Sequence, residues 1–97
     1  MNRNEEVLEA AKNYLEIMGL SKKGLYNQLI DGDLFTKEEA QYAIDNINRD
    51  WKQEAVRAAR NYLEIMSFSK QGLINQLIDG DLFTREEAQY AANQVYK

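Results

Sequence analysis

The sequence predicts an all-α fold built from two tandem three-helix repeats, each extended and helix-turn-helix-like, with a period of 48 residues. Residues 6–49 aligned with residues 54–97 agree at 29 of 44 positions, and the block NQLIDGDLFT occurs at 27–36 and again at 75–84. Proline is absent, and the helix-favouring residues Ala, Leu, Glu, Lys and Gln are abundant. We therefore expect one repeat in residues 1–49 and the second in residues 50–97.

The first helix of each repeat is predicted from apolar residues spaced three and four apart, which form one buried stripe. The stripe comprises Leu8, Ala11, Leu15 and Met18, and in the second copy Val56, Ala59, Leu63 and Met66. A unit of about 48 residues buries too little surface to be stable alone. We expect the halves to support each other, either as one small domain or as two units that share a core.

The second helix is predicted to start after a serine, Ser21 or Ser69, whose side chain can accept from the first free backbone N–H groups. A glycine three residues on, Gly24 in the first copy, costs about 1 kcal/mol relative to alanine inside a helix. Both copies have it, which indicates that another backbone passes close. The glycine of Asp-Gly-Asp, Gly32 or Gly80, is expected to end the helix in the left-handed conformation.

The third helix is predicted from a capping box, Thr36 with Glu39, which recurs 48 residues on. Its stripe consists of Ala40, Ala43 and Ile47, and then of Ala88, Ala91 and Val95. Between the repeats we expect a break, with Asp50 capping the next helix and Gln53 reaching back to it. One long helix from 37 to 66 is the alternative. Trp51 is interpreted as a residue of the seam between the repeats.

The net charge of −4, with an acidic excess in both halves, disfavours nucleic acid as a partner because phosphate binding needs clustered Lys and Arg. Without histidine or cysteine, acid–base or nucleophilic chemistry would fall to carboxylates, Lys, Tyr, Ser or Thr. A bundle this small offers little room for a catalytic cleft, so we predict no enzymatic activity and no cofactor. The Asp31-Gly32-Asp33 segment does not fit a calcium-binding EF-hand loop, whose positions 5 and 12 would be Phe35 and Tyr42. We therefore predict no metal site.

The helix, Gly-bearing turn and short second helix also suit a DNA-binding helix-turn-helix. The candidate recognition segments, KKGLYNQLIDGD and KQGLINQLIDGD, end in two aspartates where a phosphate-facing element should be basic. An intracellular nucleic-acid-binding or adaptor protein is therefore the alternative function.

The whole pattern resembles the Ltp family of host cell surface-exposed lipoproteins, over nearly the full chain and in both copies. The matching motifs are A-x-x-Y-L, S-x-x-G-L-x-x-Q-L, F-T-x-x-E-A-x-Y-A and D-W. In the first copy and at its end they are carried by Ala11, Tyr14, Leu15, Ser21, Gly24, Leu25, Gln28, Leu29, Phe35, Thr36, Ala40, Tyr42, Ala43, Asp50 and Trp51.

The resemblance implies a protein held outside Gram-positive cells by an N-terminal lipid. It also implies that prophage-encoded members block DNA injection by superinfecting phages through contact with a tail protein such as the tape measure protein. The family's signal peptide and lipid-carrying cysteine are not in this chain, so a cytoplasmic location stays open.

Our leading hypothesis is a non-catalytic module that binds a protein, with a basic tape measure segment drawn to the acidic surface as the candidate partner. The predicted contact residues are the polar ones that both copies share beside the second helix. They are Asn27, Gln28, Asp31, Asp33, Asn75, Gln76, Asp79 and Asp81. The alternative is that these residues serve only as caps and turn formers.

Overall fold

The structure is a computed structural model that describes residues 2–96, and this part of the chain consists of helices and turns without a β-strand. The first repeat contains α1 (Arg3–Ile17), α2 (Lys22–Asp31) and α3 (Lys37–Asn46). The second contains α4 (Trp51–Ile65), α5 (Lys70–Asn75) with a π-helical turn directly after it (Gln76–Gly80), and α6 (Arg85–Val95). The molecule is elongated, with extents of 44 × 21 × 21 Å. The predicted all-α class is confirmed.

The local signals at the helix starts have the predicted roles. Ser21 Oγ accepts from Gly24 N at 2.9 Å, and the equivalent serine caps α5 in the same way. In the Thr36 capping box, Thr36 Oγ1 accepts from Glu39 N at 3.1 Å and Glu39 Oε1 accepts from Thr36 N at 2.9 Å. The same pair recurs at the start of α6. These bonds satisfy backbone donors that the first turn of a helix leaves free.

The glycine inside the second helix is explained mainly by the serine cap. A Cβ at Gly24 would lie 3.0 Å from Ser21 Oγ, and one at Gly72 would lie 2.9 Å from Ser69 Oγ. A second backbone approaches only at Gly24, where the carbonyl oxygen of Asp81 is 3.6 Å from the same point. The prediction of a passing backbone is therefore correct for the first copy and wrong for the second.

The prediction that the glycine of Asp-Gly-Asp is left-handed is wrong. Gly32 is right-handed, with φ −84° and ψ −45°, and the residue with positive φ is Leu34 at 60°, as is Leu82 at 64°. The turn closes because Phe35 N donates to the carbonyl oxygen of Leu29 at 3.0 Å. A left-handed leucine is strained by its Cβ. The tertiary position of this turn therefore overrides the local preference for glycine.

Each repeat has its own buried cluster, so the expectation of a shared core is wrong. Half-buried Trp51 packs against the cluster of the first repeat. The first cluster comprises Val7, Ala11, Leu15, Leu25, Leu29, Ala40, Ala43 and Ile47, and the second comprises Ala55, Val56, Ala58, Ala59, Leu73, Ile74, Leu77, Phe83, Ala88, Ala91 and Ala92. Met18 and Met66, predicted to be buried, cap their helices and are 43% and 55% exposed.

The chain breaks between the repeats, as predicted, and does not continue as one helix. Asn48 has a positive φ of 54°, and Asp50 caps α4 by accepting from Lys52 N at 3.1 Å. Gln53 does not reach back to this cap; its Nε2 donates to the Tyr90 hydroxyl at 3.0 Å. Because Trp51 covers the first core while its helix belongs to the second repeat, its interpretation as a seam residue is confirmed.

The block NQLIDGDLFT has two conformations. In the first repeat α2 continues to Asp31, and Gly32 N donates to the carbonyl oxygen of Gln28 at 2.8 Å. In the second repeat the chain widens into the π-helical turn, and Asp81 N donates to the carbonyl oxygen of Gln76 at 3.2 Å. Since the ten residues are identical, the difference comes from the surroundings of the second copy.

Candidate functional site

The two repeats meet at a seam, formed by Gly19, Leu20 and Ser21 of the first repeat against α4 and Asp81 of the second. Gly19 lies directly on the backbone of α4, because a Cβ there would be 2.5 Å from the carbonyl oxygen of Glu54 and 2.7 Å from Ala58 N. The Ser21 hydroxyl is buried at 1% exposure and donates to the carbonyl oxygen of Asp81. The seam is therefore a close contact between backbones.

Glu54 is a buried carboxylate at the seam, and it is neutralised by two arginines. Its side chain is 4% exposed and lies 2.8 Å from Arg57 and 3.5 Å from Arg49. The equivalent residue of the first repeat, Glu6, has a side chain that is 42% exposed and lies 3.5 Å from Arg3. A buried charge requires such pairing, whereas Glu6 remains accessible.

Asp81 is the predicted site residue that lies at the seam. Its Oδ1 accepts from the Tyr62 hydroxyl at 2.8 Å. Partial burial raises the pKa of Asp81, and the hydrogen bond from Tyr62 lowers it in part. Burial and the nearby carboxylate together raise the pKa of Tyr62. Asp81 therefore serves the contact between repeats, and its first-repeat counterpart, Asp33, is exposed.

A groove runs along the first repeat, and we call it the first-repeat groove. It encloses about 250 Å³ and is lined by Ala10, Asn13, Tyr14, Ile17 and Asp33. The same five residue types line the equivalent groove of the second repeat, of about 190 Å³: Ala58, Asn61, Tyr62, Ile65 and Asp81. There, Met18, Gly19 and Leu20 of the first repeat complete the lining. The first-repeat groove has no such cover from residues 2–96.

The turn Asp31–Leu34, here called the acidic turn, lies at the end of α2. Asp31 and Asp33 are exposed, and the strained Leu34 is 80% exposed, against 39% for Leu82. Leu82 has the same positive φ, so the backbone conformation is common to both turns and the greater exposure of Leu34 is what distinguishes the first. In the first repeat the acidic turn thus combines two carboxylates with an accessible apolar side chain.

The glutamines that both repeats share, Gln28 and Gln76, have a structural role. Gln28 Nε2 donates to the Tyr14 hydroxyl at 3.2 Å, and Gln76 Nε2 donates to that of Tyr62 at 3.2 Å. The amide of Gln28 lies where a Cβ of Gly32 would be, and the second repeat has the same arrangement. The glutamine amide therefore occupies the space that a side chain at this glycine would take, and a larger residue would require the glutamine to move. Asn27 and Asn75 are exposed, and Asn75 also accepts from Gln71 at 2.9 Å.

Comparison with known families decides the classification. The sequence profile of the host cell surface-exposed lipoproteins, Lipoprotein_Ltp, matches residues 2–47 and again residues 50–95. The chain belongs to the Ltp family. The resemblance predicted from the sequence is thereby confirmed.

The Ltp fold is also found in a solved structure, described as Ltp, a superinfection exclusion protein from the Streptococcus thermophilus temperate phage TP-J34. That protein is 30% identical in sequence, with a TM-score of 0.90, over 96% of this chain and 95% of the other. No curated protein matches the chain significantly.

In the chain described here, the structure separates the predicted contact residues into two groups. In the first repeat Asn27, Asp31 and Asp33 are accessible around the end of α2. In the second repeat Asp81 is half-buried at the seam, and Asn75 and Asp79 remain exposed. Ile17 and Leu34 were not predicted as site residues from the sequence. Both copies have these apolar residues, but only the structure shows that they are exposed.

The described part of this Ltp chain, residues 2–96, contains no cluster of three acidic, histidine or cysteine side chains arranged to hold a metal ion. None of its helices is both long enough and apolar enough to span a bilayer.

Arg3 and Glu39 form a two-armed ion pair that the second Ltp repeat lacks, because Trp51 stands at the position of Arg3. Arg3 Nε and Nη2 lie 2.8 and 2.9 Å from the two oxygens of Glu39, and the guanidinium lies 4.6 Å from the Phe35 ring centre. The bond from Arg3, followed by that from Thr36 N, lowers the pKa of Glu39 from 4.5 to about 2.

Replacing Arg3 with alanine is expected to raise the pKa of Glu39 from about 2 towards 4.5, observed by carboxyl ¹³C NMR titration. A depressed pKa stabilises the fold above pH 4.5, and that contribution is lost as the pH falls towards 2. Arg3→Ala should therefore flatten the acid side of the stability profile. An unchanged Glu39 titration in this variant would show that the helix cap alone depresses it.

Proposed function

We propose that this protein excludes superinfecting phages by binding a basic segment of a phage tail protein, such as the tape measure protein, and that it does so without catalysis. The family membership and the solved superinfection exclusion protein, 30% identical over nearly the full chain, support the activity. The absence of histidine and cysteine from the sequence motivates the non-catalytic role. We place the protein at the cell surface, lipid-anchored as the family description implies.

The observation that carries the proposed binding site is the exposure of the acidic turn. Asp31 and Asp33 are accessible carboxylates, and Leu34 beside them is 80% exposed. An apolar contact surrounded by charge is the usual arrangement of a protein interface, in which the charges steer association and the apolar group is desolvated. Asn27 and Gln28 lie one helical turn earlier and complete the proposed contact set.

The second repeat contributes less to this site. Asp81 is tied to Tyr62 and to Ser21 at the seam, and Gln76 is only partly exposed. Asp79 and Asn75 are exposed and extend the acidic surface. We therefore infer that the first repeat makes the main contact and that the second adds charge at longer range.

Replacing both Asp31 and Asp33 with asparagine is expected to weaken binding to a basic tail segment at least about tenfold, about 1.4 kcal/mol, and to reduce its salt dependence. The measurement is calorimetric titration at two salt concentrations, together with phage plating on cells that display the protein. Asp45→Asn, which removes an exposed charge from α3, is the control and should leave both unchanged. If Asp45→Asn, which removes one charge, costs half the binding free energy that the double change costs, net charge alone drives association.

Leu34→Gly tests the apolar part of the site. Glycine adopts positive φ without strain, so this variant should be more stable by roughly 0.5–1 kcal/mol, shown by a higher urea midpoint. The same variant should bind the tail segment more weakly, because an exposed apolar contact is lost. If phage exclusion and binding are retained at full strength, Leu34 lies outside the interface.

A further inference from the structure

We propose that the first-repeat groove is a docking site for a turn of another protein in which a glycine is followed by an apolar residue and then a serine or threonine, flanked by an arginine or lysine. The chain itself supplies the precedent. In the second repeat the same five groove residues receive Met18, Gly19 and Leu20, and Ser21 follows with its hydroxyl on the carbonyl oxygen of Asp81. The first-repeat groove is lined by the same five residue types without that cover, and its Asp33 follows an α-helical end where Asp81 follows a π-helical turn.

The glycine requirement follows from the distance between backbones at the seam. Only glycine fits at position 19, because the Cβ of any other residue would lie 2.5 Å from one backbone atom of α4 and 2.7 Å from another. The matching atoms of α1 are the carbonyl oxygen of Glu6 and the amide nitrogen of Ala10, at the same places in the repeat. Any side chain at that position of the incoming turn would overlap the helix.

A second copy of this chain is excluded as the occupant, because its exposed loop does not have the required glycine. The loop of the second repeat that corresponds to Met18–Ser21 is Met66–Ser69, and it carries Ser67 in place of Gly19. If Ser67 took the place on α1 that Gly19 takes on α4, its Cβ would overlap the helix backbone, as a Cβ at Gly19 would overlap that of α4. Serine at this position therefore prevents head-to-tail chains, which an open interface of this kind would otherwise form.

The charge at the groove favours a basic flank on the occupant. At the seam, Arg57 lies beside Gly19, with its Cβ 3.0 Å from the point where a glycine Cβ would be. The corresponding residue of the first repeat is Glu9, which is exposed, and the counterpart of buried Glu54 is accessible Glu6. Asp33 lines the groove, and Glu6 and Glu9 occupy the positions of α1 that match Glu54 and Arg57 of α4, so the acidic residues of this region favour an Arg or Lys on the partner.

This inference depends on the proposed function only for the source of the partner, a phage protein, because the groove and its preferred turn are defined by the seam alone. The test accordingly uses no phage component. The variant Ala10→Arg/Ser67→Gly/Phe68→Leu presents the sequence Met-Gly-Leu-Ser at 66–69, identical to 18–21, and its own groove is filled by the arginine. Unlabelled variant is titrated into ¹⁵N-labelled wild-type protein, whose groove is open.

The expected result is a saturable shift of the wild-type amide signals of Ala10, Asn13, Tyr14 and Asp33, within a concentration range up to about 1 mM, where weak interfaces become occupied. Ala10→Arg alone retains Ser67 and is the matched control, which should shift none of them. No shift at about 1 mM, or equal shifts with the control, would overturn the proposal. Failure here would leave the phage-plating test of the acidic turn unaffected.

Folding of the triple variant is checked by circular dichroism. If it does not fold, Ser67→Gly/Phe68→Leu is observed alone, and its average mass should rise with concentration as turn and groove of successive molecules meet. Phe68→Leu, which retains Ser67, should stay monomeric. A monomeric double variant at about 1 mM contradicts the proposal, as does association of Phe68→Leu alone.

Discussion

Replacing Leu15 with alanine is expected to destabilise the first repeat by about 3 kcal/mol, because it removes a fully buried side chain and leaves a cavity in a small core. Leu15 has 0% exposure and lies among the residues that α1, α2 and α3 bury together. Trp51 is the single tryptophan of the chain and packs against this same core, so its fluorescence reports the transition directly. The measurement is urea unfolding followed at Trp51.

The matched control is Leu63→Ala, at the same position of the second repeat. Leu63 is only half-buried and packs at the margin of its core, so the expected loss is about 1 kcal/mol. The urea midpoint of Trp51 should therefore fall much more in Leu15→Ala than in Leu63→Ala. Equal losses would mean that the two positions are buried to the same extent in solution.

The parts of the fold that were predictable from the sequence are those fixed by local chemistry. The serine caps at α2 and α5, the Thr36 capping box and the Asp50 break each involve residues within a few positions of one another. Such bonds form wherever the chain places these side chains before a helical segment. They were predicted correctly because nothing distant needs to be known.

The errors arose where tertiary contacts override local preference. Gly32 is right-handed and packs against the amide of Gln28, whereas positive φ falls on Leu34, a residue with no intrinsic preference for it. The π-helical turn after α5 and the α-helical end of α2 have one sequence in common. The seam holds Asp81 in the second repeat, whereas Asp33 is exposed in the first, and a repeat alignment cannot show that difference.

The candidate site was predictable as a list of residues but not as two unequal halves. Both copies contain Tyr, Gln and Asp-Gly-Asp at equivalent positions, so the same role was predicted for Asp33 and Asp81. The two halves are distinguished by positions where the copies differ, Gly19/Ser67 and Glu9/Arg57, of which Gly19 and Arg57 meet at the seam. Differences between repeats mark the surfaces where one repeat is used differently from the other.

The strongest test of that distinction is Gly19→Ala, which is expected to cost about 2 kcal/mol by forcing a methyl group onto the backbone of α4. Its site on α4 is defined by backbone atoms of Glu54 and Ala58, which cannot move aside as a side chain would. Ser67→Ala, at the equivalent exposed position, should change the urea midpoint by a few tenths of a kcal/mol at most.

Asp81 reports whether the seam itself is the element that opens. In the wild-type protein burial raises the pKa of Asp81, which shares its groove with Met18, Gly19 and Leu20 of the first repeat and whose backbone carbonyl accepts from Ser21. In Gly19→Ala the pKa should therefore fall towards its ordinary value of 3.8 in a carboxyl ¹³C titration, while the capping boxes of both repeats remain intact. A destabilised variant with an unchanged Asp81 titration would place the damage within a repeat and not between the two.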